Sequence, residues 1–382
     1  MKTIKKISAM LIYSFLAAGF ISTGIFAQKY VTKKEFEVKP GGTIKIALNN
    51  GGSIDIKGWD KDLMLAQTEG EDAGFRVDKN GNDIMITNNP SKNSDGEFSL
   101  KVWVPKKFNL AINSLGGDIE ISGIEGKMNG NTAGGDLNLY DLKGALDLST
   151  LGGDITLRNS KVDGRVKTNG GDVLVEDVTG SVDASSMGGS VRHVNVKSTG
   201  SGNNNAGAEK EINISSMGGD IEIDTAPNGA KLKTMGGDIT LNHAGKFLEA
   251  HTQGGDISAK SVDGKVYAKT MGGDIEIKIT GGTDGKKDAE LISMGGDITL
   301  TVPKGLSMNI EIEIAYTQSN KKHKFEDYKI HNDLQLKEER SSDWDTSKGT
   351  PRKYITAKGN VAGGKNTIKI KTINGNVYLK QS

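Results

Sequence analysis

Apolar and polar residues alternate along most of the chain, in short runs separated by pairs of glycine. In the stretch TMGGDIEIKIT, Thr270 to Thr280, the apolar side chains fall at Ile275, Ile277 and Ile279, with polar residues between them. An alternation of period two places every second side chain on one face of a β-strand. The pattern therefore predicts an all-β chain of half-buried strands joined by glycine turns.

The glycine pair recurs at a fixed interval and is usually followed by aspartate. Its first glycine stands at Gly116, Gly134, Gly152, Gly170, Gly188, Gly218, Gly236, Gly254, Gly272 and Gly295. Seven of the nine gaps equal the step from Gly116 to Gly134, and only the gaps that end at Gly218 and Gly295 are longer. A constant period with insertions in particular units is typical of a solenoid.

Each unit follows the consensus G-G-D-I-x-[IL]-x-x-V-x-G-x-V-x-[AL]-x-T-M, which predicts two half-buried strands with a corner at each end. Stacked units pair each strand with its neighbours at about 4.8 Å, so ten rungs give a rod roughly 45 to 50 Å long. We therefore predict a single-stranded β-helix, a β-solenoid with 18-residue rungs over residues 112–303. We favour right-handed winding.

The glycine pair has a structural explanation, because a corner repeated in every rung needs a positive φ or a close backbone approach. A phosphate-binding loop would instead lead into a helix, and no helix pattern follows any of the pairs. We therefore expect the glycines to shape the corner.

The residue after each glycine pair is an aspartate in nine of the ten units, with Ser190 in the tenth: Asp118, Asp136, Asp154, Asp172, Asp220, Asp238, Asp256, Asp274 and Asp297. Stacking would place these carboxylates about 5 Å apart, where neighbours repel by roughly 1 to 3 kcal/mol. We expect Asx-turns, in which each side chain accepts hydrogen bonds from turn N–H groups, to offset this repulsion. Calcium held between rungs is the alternative.

Methionine or leucine occupies the last position of seven units: Leu115, Leu151, Met187, Met217, Met235, Met271 and Met294. The position before it is Thr or Ser, and two consecutive residues of a regular strand cannot both face inward. We expect methionine to fill the corner from inside. If it faces outward instead, the side chains form an exposed apolar stripe that favours partner binding.

The N-terminus has the pattern of a secretory signal peptide over residues 1–27. Lys2, Lys5 and Lys6 precede an apolar stretch that begins at Met10, and small residues end at Ala27. Later apolar runs are too short for a membrane span. Because the chain has no cysteine, it has no disulfide and no thiolate metal ligand. We therefore expect an exported protein found in the periplasm, on the cell surface or outside the cell.

The charge balance gives no reason to expect nucleic acid as a partner. The formal charge is +1, and cleavage after Ala27 removes three lysines and no acid, which leaves −2. Both signs are interspersed along the chain, so no basic surface is predicted for nucleic acid or an anionic membrane.

The repeat offers no pattern typical of a catalytic or metal site. Its arginines and histidines occupy unlike positions in their units: Arg158, Arg165, Arg192, His193, His243 and His251. We expect these histidines to be solvated and single. The aromatic residues Tyr140, Phe247 and Tyr267 also differ in position, so no aromatic platform is predicted. We predict no catalytic, cofactor-binding or metal-binding residues, and no cofactor.

The regions outside the regular repeat predict caps and insertions. Residues 28–111 contain alternating segments that predict an N-terminal β cap with irregular rungs. Residues 304–382 predict a C-terminal β segment with a charged excursion at about 318–353, and Trp59, Trp103 and Trp344 are expected to pack these ends. The insertions Lys197 to Lys210 and Thr280 to Glu290 are small and polar, as in mobile loops.

Four segments together resemble a family of exported bacterial β-solenoid proteins, a domain of unknown function described as "putative adhesins" and related to autotransporter adhesin head domains. They are NNGGSIDIKGWD, VWVPKKFNLAINSLGGDIEISGIEG, the iterated TMGGDI units and the closing TIKIKTINGNVYL. The resemblance implies a β-helix outside the cytoplasm with a non-enzymatic role. It supplies no ligand and no catalytic residues.

Three functional hypotheses follow. The first is a non-enzymatic, adhesin-like binding protein or envelope scaffold, whose partner is a cell-envelope or extracellular protein or polysaccharide. The second is a carbohydrate-active β-helix enzyme of the polysaccharide lyase or hydrolase type, which would need a non-periodic cluster of acids and bases in one groove. The third is a surface repeat protein stabilised by calcium.

Overall fold

The structure is a computed structural model of the 382-residue chain, and it describes residues 30–70, 74–88, 98–197, 210–318, 324–347 and 349–382. The predicted signal peptide lies outside the described residues. No helix within the described ranges is long and apolar enough to cross a membrane.

The described residues form 33 β-strands and one short 3-10 helix, Phe325–Asp327. The strands before and in the first half of the repeat are β1 Tyr30–Glu37, β2 Thr43–Leu48, β3 Ser53–Trp59, β4 Leu63–Gly70, β5 Arg76–Asn80, β6 Asp83–Thr87, β7 Ser99–Pro105, β8 Asn109–Ser114, β9 Ile119–Ser122, β10 Glu125–Thr132, β11 Leu137–Tyr140, β12 Lys143–Thr150, β13 Ile155–Arg158, β14 Lys161–Thr168, β15 Val173–Glu176, β16 Val182–Ser186 and β17 Val191–Val194. The remaining strands are β18 Ile212–Ser215, β19 Ile221–Ala226, β20 Ala230–Lys233, β21 Ile239–Ala244, β22 Phe247–His251, β23 Ile257–Val262, β24 Lys265–Thr270, β25 Ile275–Ile279, β26 Ala289–Ser293, β27 Ile298–Val302, β28 Met308–Thr317, β29 Ile330–Asn332, β30 Glu338–Arg340, β31 Arg352–Val361, β32 Asn366–Ile373 and β33 Val377–Gln381.

The strands form two long sheets that share each rung. Sheet A has the order β1-β4-β7-β3-β9-β11-β13-β15-β17-β19-β21-β23-β25-β27-β33-β29. Sheet B follows the pairings β5-β6-β2-β8-β10-β12-β14-β16-β18-β20-β22-β24-β26-β32-β28-β31-β30. Each rung of the repeat gives one strand to each sheet, and neighbouring rungs pair in parallel. The predicted β-solenoid is therefore confirmed.

The register follows the spacing of the glycine pairs. Ile119 pairs with Leu137, and Leu137 pairs with Ile155, so each partner lies one repeat further along the chain. At the two irregular gaps, Val191 pairs with Ile221 and Ile275 pairs with Ile298. The insertions therefore leave the strand register intact. The direction of winding stays a prediction.

The core consists of ladders of apolar side chains that point between the two sheets. In sheet A one ladder contains Ile119, Leu137, Ile155, Val173, Val191, Ile221, Ile239, Ile257, Ile275, Ile298 and Val377, and each is at most 1% exposed. Burying one such side chain stabilises the fold by roughly 1.5 to 3 kcal/mol. These side chains are buried because they pack against the equivalent side chains of the neighbouring rungs. The solenoid therefore gains its stability from the stacking of rungs.

The spatial order of rungs differs from their order in the chain at both ends. The rung of β2 and β3 lies between that of β6 and β7 and that of β8 and β9. At the other end, β32 and β33 lie between β26 and β27 on one side and β28 and β29 on the other. The first and last rungs along the chain are thus held between two others.

Antiparallel strands cover the ends of the rod. β1 and β4 are at the edge of sheet A, and β5 is at the edge of sheet B. At the other end β31 and β30 pair antiparallel outside β28. Such strands interrupt the parallel stacking that would otherwise continue into another molecule. The division of the chain into cap, repeat and C-terminal segments stays a prediction.

The tryptophans pack in the end regions, as predicted. The rings of Trp59 and Trp103 lie 6.4 Å apart between their centroids. Trp344 lies 5.9 Å from Tyr316, which also contacts Phe325. The charged excursion therefore contributes an aromatic cluster to the C-terminal end.

The insertion Thr280 to Glu290 is tied into the fold near its end, which the sequence did not predict. Lys287 is 1% exposed, and its Nζ donates to Asp263 Oδ1. Its backbone N–H donates to Asn366 Oδ1 at 2.8 Å. The insertion therefore contacts both the repeat and the C-terminal rung. Residues 198–209 of the other insertion lie outside the described residues.

The second glycine of each pair is needed because neighbouring rungs approach closely there. A Cβ on Gly153 would lie well inside van der Waals contact with the carbonyl of Gly135, whereas a Cβ on Gly152 would meet only Gly134 Cα, at 3.8 Å. Among the second glycines only Gly117 and Gly135 have φ in the left-handed region. Close approach, rather than positive φ, is therefore the requirement common to these corners.

Replacing Gly153 by Ala should lower the free energy of unfolding by about 1 to 3 kcal/mol, because the obstructing atoms belong to the backbone and cannot rotate away. Gly152→Ala is the matched control in the same corner and should lie within about 0.5 kcal/mol of the wild type. Urea denaturation of both variants measures the difference. Equal stabilities for the two variants would contradict the close-approach explanation.

One core position of sheet A holds a histidine, which corrects the prediction that His193 is solvated. His193 pairs with Val175 and Ile223 and is 1% exposed. Neither ring nitrogen has a hydrogen-bond partner among the described residues. Burial lowers the pKa of His193 from 6.5 to about 4, because the apolar core disfavours the charged ring. Because side chains alternate along β17, residue 193 faces the core between the two sheets although it is polar.

The free energy of unfolding should decrease as the pH falls because of His193. Since its folded pKa lies below its ordinary value, the unfolded chain binds the proton first as the pH falls. Above pH 6.5 the neutral His193 ring contributes fully to the free energy of unfolding. This contribution, about 3 kcal/mol, is lost as the pH falls from 6.5 to 4. His193→Leu should remove this part of the pH dependence, and the partly exposed His243, as His243→Gln, should not. Denaturation at a series of pH values tests this, and parallel curves for wild type and His193→Leu would contradict it.

Candidate functional site

The inside of the glycine corner is occupied by the Thr or Ser of each unit. Thr150 is 1% exposed, and its Oγ1 donates to the Gly135 carbonyl of the preceding rung at 2.9 Å. The N–H of Gly153 donates back to Thr150 Oγ1 at 3.3 Å. Equivalent hydroxyl bonds to a glycine carbonyl are made by Thr132, Thr168, Ser186, Ser216, Thr234, Thr252, Thr270, Ser293 and Thr372.

Because the hydroxyl faces inward, the next residue faces outward, and the expectation that methionine fills the corner is wrong. The alternative, an outward stripe, is what the structure contains. We call the following residues the apolar stripe: Leu115, Leu151, Met187, Met217, Met235, Met271 and Met294, each between 41% and 65% exposed. The carbonyl of the close-approaching glycine needs a donor, which threonine has and methionine lacks.

The apolar stripe collects most of the exposed apolar side chains in one place. Within the described ranges nine large apolar residues are exposed, and seven of them belong to the stripe. The stripe spans ten rungs, or about 43 Å at 4.8 Å per step. Ala133, Asn169 and Gln253 occupy the three remaining positions along it. Large exposed apolar surfaces are typical of interaction sites.

The aspartates form a ladder of hydrogen bonds between rungs on one flank of the stripe. Asp238 Oδ1 accepts the backbone N–H of Asp256 at 2.7 Å, and Asp256 Oδ1 accepts that of Asp274 at 2.7 Å. The same bond recurs along the corner, and Ser190 Oγ takes part in place of a carboxylate. The prediction of an Asx-turn is therefore wrong, because the N–H group that each aspartate accepts belongs to the next rung and not to its own turn.

The aspartate ladder is a line of carboxylates without ion pairs to the described lysines, arginines and histidines. None of its nine aspartates forms a salt bridge with another described residue. In the part of the chain that the structure describes, no three His, Cys, Asp or Glu side chains are grouped closely enough to hold a metal ion. The calcium hypothesis therefore gains no support from the geometry, and it is tested below.

The other flank of the stripe carries basic residues at four of its ten rungs. Lys167, Lys233, His251 and Lys269 stand two residues before stripe positions on the outer face of sheet B, and Lys371 has the same place on β32, one rung beyond Met294; we call these five residues the lysine column. Lys371 lies 3.9 Å from Glu313. The other three lysines form no salt bridge with a described residue. The stripe therefore separates a line of aspartates from a flank that carries a basic residue at four of the ten rungs.

Replacing Asp238 by Asn should leave stability unchanged or slightly higher, because Oδ1 remains to accept the Asp256 N–H while carboxylate repulsion falls. Asp238→Ala removes that acceptor and should cost about 1 kcal/mol. Melting temperatures with calcium and with a chelator complete the experiment. We expect no calcium effect; a calcium-dependent rise in the wild type that Asp238→Asn abolishes would establish the calcium hypothesis instead.

A groove on the outer face of sheet B, which we call the aromatic groove, contains two of the three aromatic residues of the repeat, although their unlike repeat positions predicted no aromatic platform. Phe247 on β22 and Tyr267 on β24 line one groove of about 530 Å³. The His251 ring lies 5.0 Å from that of Tyr267, and Lys231 Nζ lies 5.8 Å from the Phe247 ring. Comparing equal repeat positions misses the pair, because the two residues are diagonal neighbours on adjacent strands.

Acidic and basic side chains also reach this groove. Glu249, Glu290 and Asp288 line it together with Lys265 and others. Glu249 pairs in register with Tyr267, and Tyr267 with Glu290, so the ring lies between two carboxylates along the sheet. The structure thus brings acids, lysines and aromatic rings into one concavity, an arrangement that suits a hydroxyl-rich ligand.

Comparison with known proteins gives one family and several solved structures. Residues 28–224, just over half of the chain, match the family model described as Toastrack DUF4097. No curated protein matches the sequence.

The similar solved structures share little sequence with this chain. A "putative cell adhesion protein" from Clostridium sporogenes is 9% identical, with a TM-score of 0.17, and the match covers 92% of this chain and 100% of that one. A "putative lipid binding protein" from Parabacteroides distasonis is 14% identical, with a TM-score of 0.29, covering 71% and 96%. A "putative adhesin" from Parabacteroides merdae is 11% identical, with a TM-score of 0.23, covering 72% and 89%. With TM-scores this low, these likenesses carry no argument about function.

Proposed function

Since the chain belongs to the Toastrack DUF4097 family, we propose that it is a non-enzymatic, exported β-solenoid protein that acts as an adhesin-like binding protein or envelope scaffold. Its partner is a cell-envelope or extracellular protein or polysaccharide. The N-terminal pattern supports export, and the near balance of charge gives no support to a nucleic-acid partner.

The apolar stripe is the observation that carries this proposal. Exposed methionines are flexible and polarisable, so a line of them adapts to a partner's surface. The core does not need these side chains, because the Thr and Ser hydroxyls already occupy the inside of the corner. A rod that keeps apolar residues on one exposed line, at a cost in solubility, is best explained by a binding role.

A stripe variant tests the proposal. Met187, Met217 and Met235 are replaced together by Gln, and co-sedimentation of the mature chain with an envelope fraction of its own host is measured. We expect retention to fall by about ten-fold or more, which corresponds to about 1.4 kcal/mol or more of lost binding. Because the side chains are exposed, stability should change by only about 0.5 kcal/mol.

The matched control replaces Thr240, Ser258 and Thr299, on the outer face of sheet A, by Gln. It should bind like the wild type. If the stripe variant binds as well as this control, the stripe is not the binding surface and the proposal loses its main support.

The aromatic groove favours a second candidate function, that of a carbohydrate-active enzyme. Its rings suit stacking on sugar faces, and Glu249 and Glu290 are acids of the kind that glycosidic chemistry uses. Incubation with cell-wall and plant polysaccharides should release no reducing or unsaturated ends if the protein is not an enzyme. Release by the wild type that Glu290→Gln abolishes would replace our first proposal with this one.

A further inference from the structure

We propose that the apolar stripe binds the same stripe of a second copy of this chain, with the two rods parallel and in register. The inference rests on the proposed function, because it names the partner of the same surface. Three features of the corner lead to it: the unlike charges on its two flanks, the polar residues that interrupt the stripe, and its dimensions.

The charges of the two flanks determine how two copies can face each other. The aspartate ladder runs along one side of the stripe and the lysine column along the other. A two-fold axis parallel to the rods exchanges left and right, so four aspartates of each ladder, Asp172, Asp238, Asp256 and Asp274, face the partner's lysine column. An axis perpendicular to the rods makes them antiparallel and sets ladder against ladder. Carboxylates that already repel within one ladder would then repel a second one as well. Charge complementarity therefore favours parallel rods.

The interruptions in the stripe favour the same arrangement. In parallel rods Asn169 faces Asn169 and Gln253 faces Gln253, and each amide can donate to and accept from its counterpart. Antiparallel rods centred on the stripe would place Asn169 against Met235 and Gln253 against Leu151. A buried amide that faces its own copy is a known means of fixing register in paired helices. Here it would align the rungs.

The size of the corner suits a stable dimer. The strip between the lysine column and the aspartate ladder spans five residue steps, most of them in the glycine corner, so the extended-strand rise gives an upper bound of roughly 17 Å for its width; the stripe is about 43 Å long. These dimensions give at most about 700 Å² per copy, which is within the range of a standard interface of roughly 800 Å² per partner.

Single-cysteine variants test the arrangement, because the chain has no cysteine of its own. Leu115→Cys and Met294→Cys place one thiol at opposite ends of the stripe, and a short bismaleimide reports which thiols lie together. Parallel rods predict that each variant cross-links to itself. Antiparallel rods predict cross-linking only when the two variants are mixed. Asn213→Cys, exposed on the outer face of sheet B, is the control for random encounters.

We expect Leu115→Cys and Met294→Cys each to give at least about ten-fold more cross-linked dimer than Asn213→Cys, since a dimer raises the local thiol concentration. Sedimentation equilibrium of the wild-type chain should show a dimer that weakens as salt rises, because unlike charges meet at the flanks. The variant with Met187, Met217 and Met235 replaced by Gln should be a monomer. Cross-linking only in the mixture would overturn the parallel arrangement.

A wild-type monomer at all concentrations would overturn self-association altogether. The envelope co-sedimentation experiment then separates the two claims. A monomer that still binds the envelope through the stripe leaves the proposed function standing with a different partner. If the wild-type chain is a monomer and the Met-to-Gln variant binds the envelope as well as the wild type, both self-association and the proposed binding role of the stripe are wrong.

Discussion

The close approach of successive rungs at the second glycine is the contact on which the rest of the structure depends. Only a residue without a side chain fits between two backbones there, as at Gly153 over Gly135. The approach puts a glycine carbonyl within reach of a hydroxyl inside the corner, as Thr150 demonstrates. It also lets each aspartate accept an N–H from the next rung. The outward apolar stripe is a consequence, because the residue after an inward threonine must face solvent.

Much of the fold could be predicted because the alternation along each strand and the constant spacing of the glycine pairs are both written directly in the sequence. The corner was harder to predict, since the alternation cannot say which of two consecutive residues turns inward. Hydrogen bonding decides in favour of Thr over Met, and that depends on a carbonyl from another rung. The Asx-turn failed for the same reason, because its donor lies one rung away. The burial of His193 was not predicted, because a polar residue was expected in solvent even though the alternation of the strand places it inward.

The ends could not be ordered from the sequence. β2 and β3 form the first rung along the chain, yet they lie between the rung of β6 and β7 and that of β8 and β9; β32 and β33 form the last rung, yet they lie inside β28 and β29. Such interleaving depends on pairings between segments far apart in the chain. It has a physical benefit, because a rung held on both sides cannot fray as a terminal strand would. The antiparallel strands outside it end the stack, which leaves the long side of the rod for interaction.

The orientation of the corner is the central claim, and methionine oxidation tests it most directly. Mild peroxide treatment followed by mass spectrometry reports the exposure of each methionine in the folded chain. In a monomeric sample we predict rapid oxidation of Met187, Met217, Met235, Met271 and Met294, and protection of Met64, Met128 and Met308, which are at most 1% exposed. Protection of the stripe methionines in a monomeric sample would contradict the account, because it would place methionine rather than threonine inside the corner.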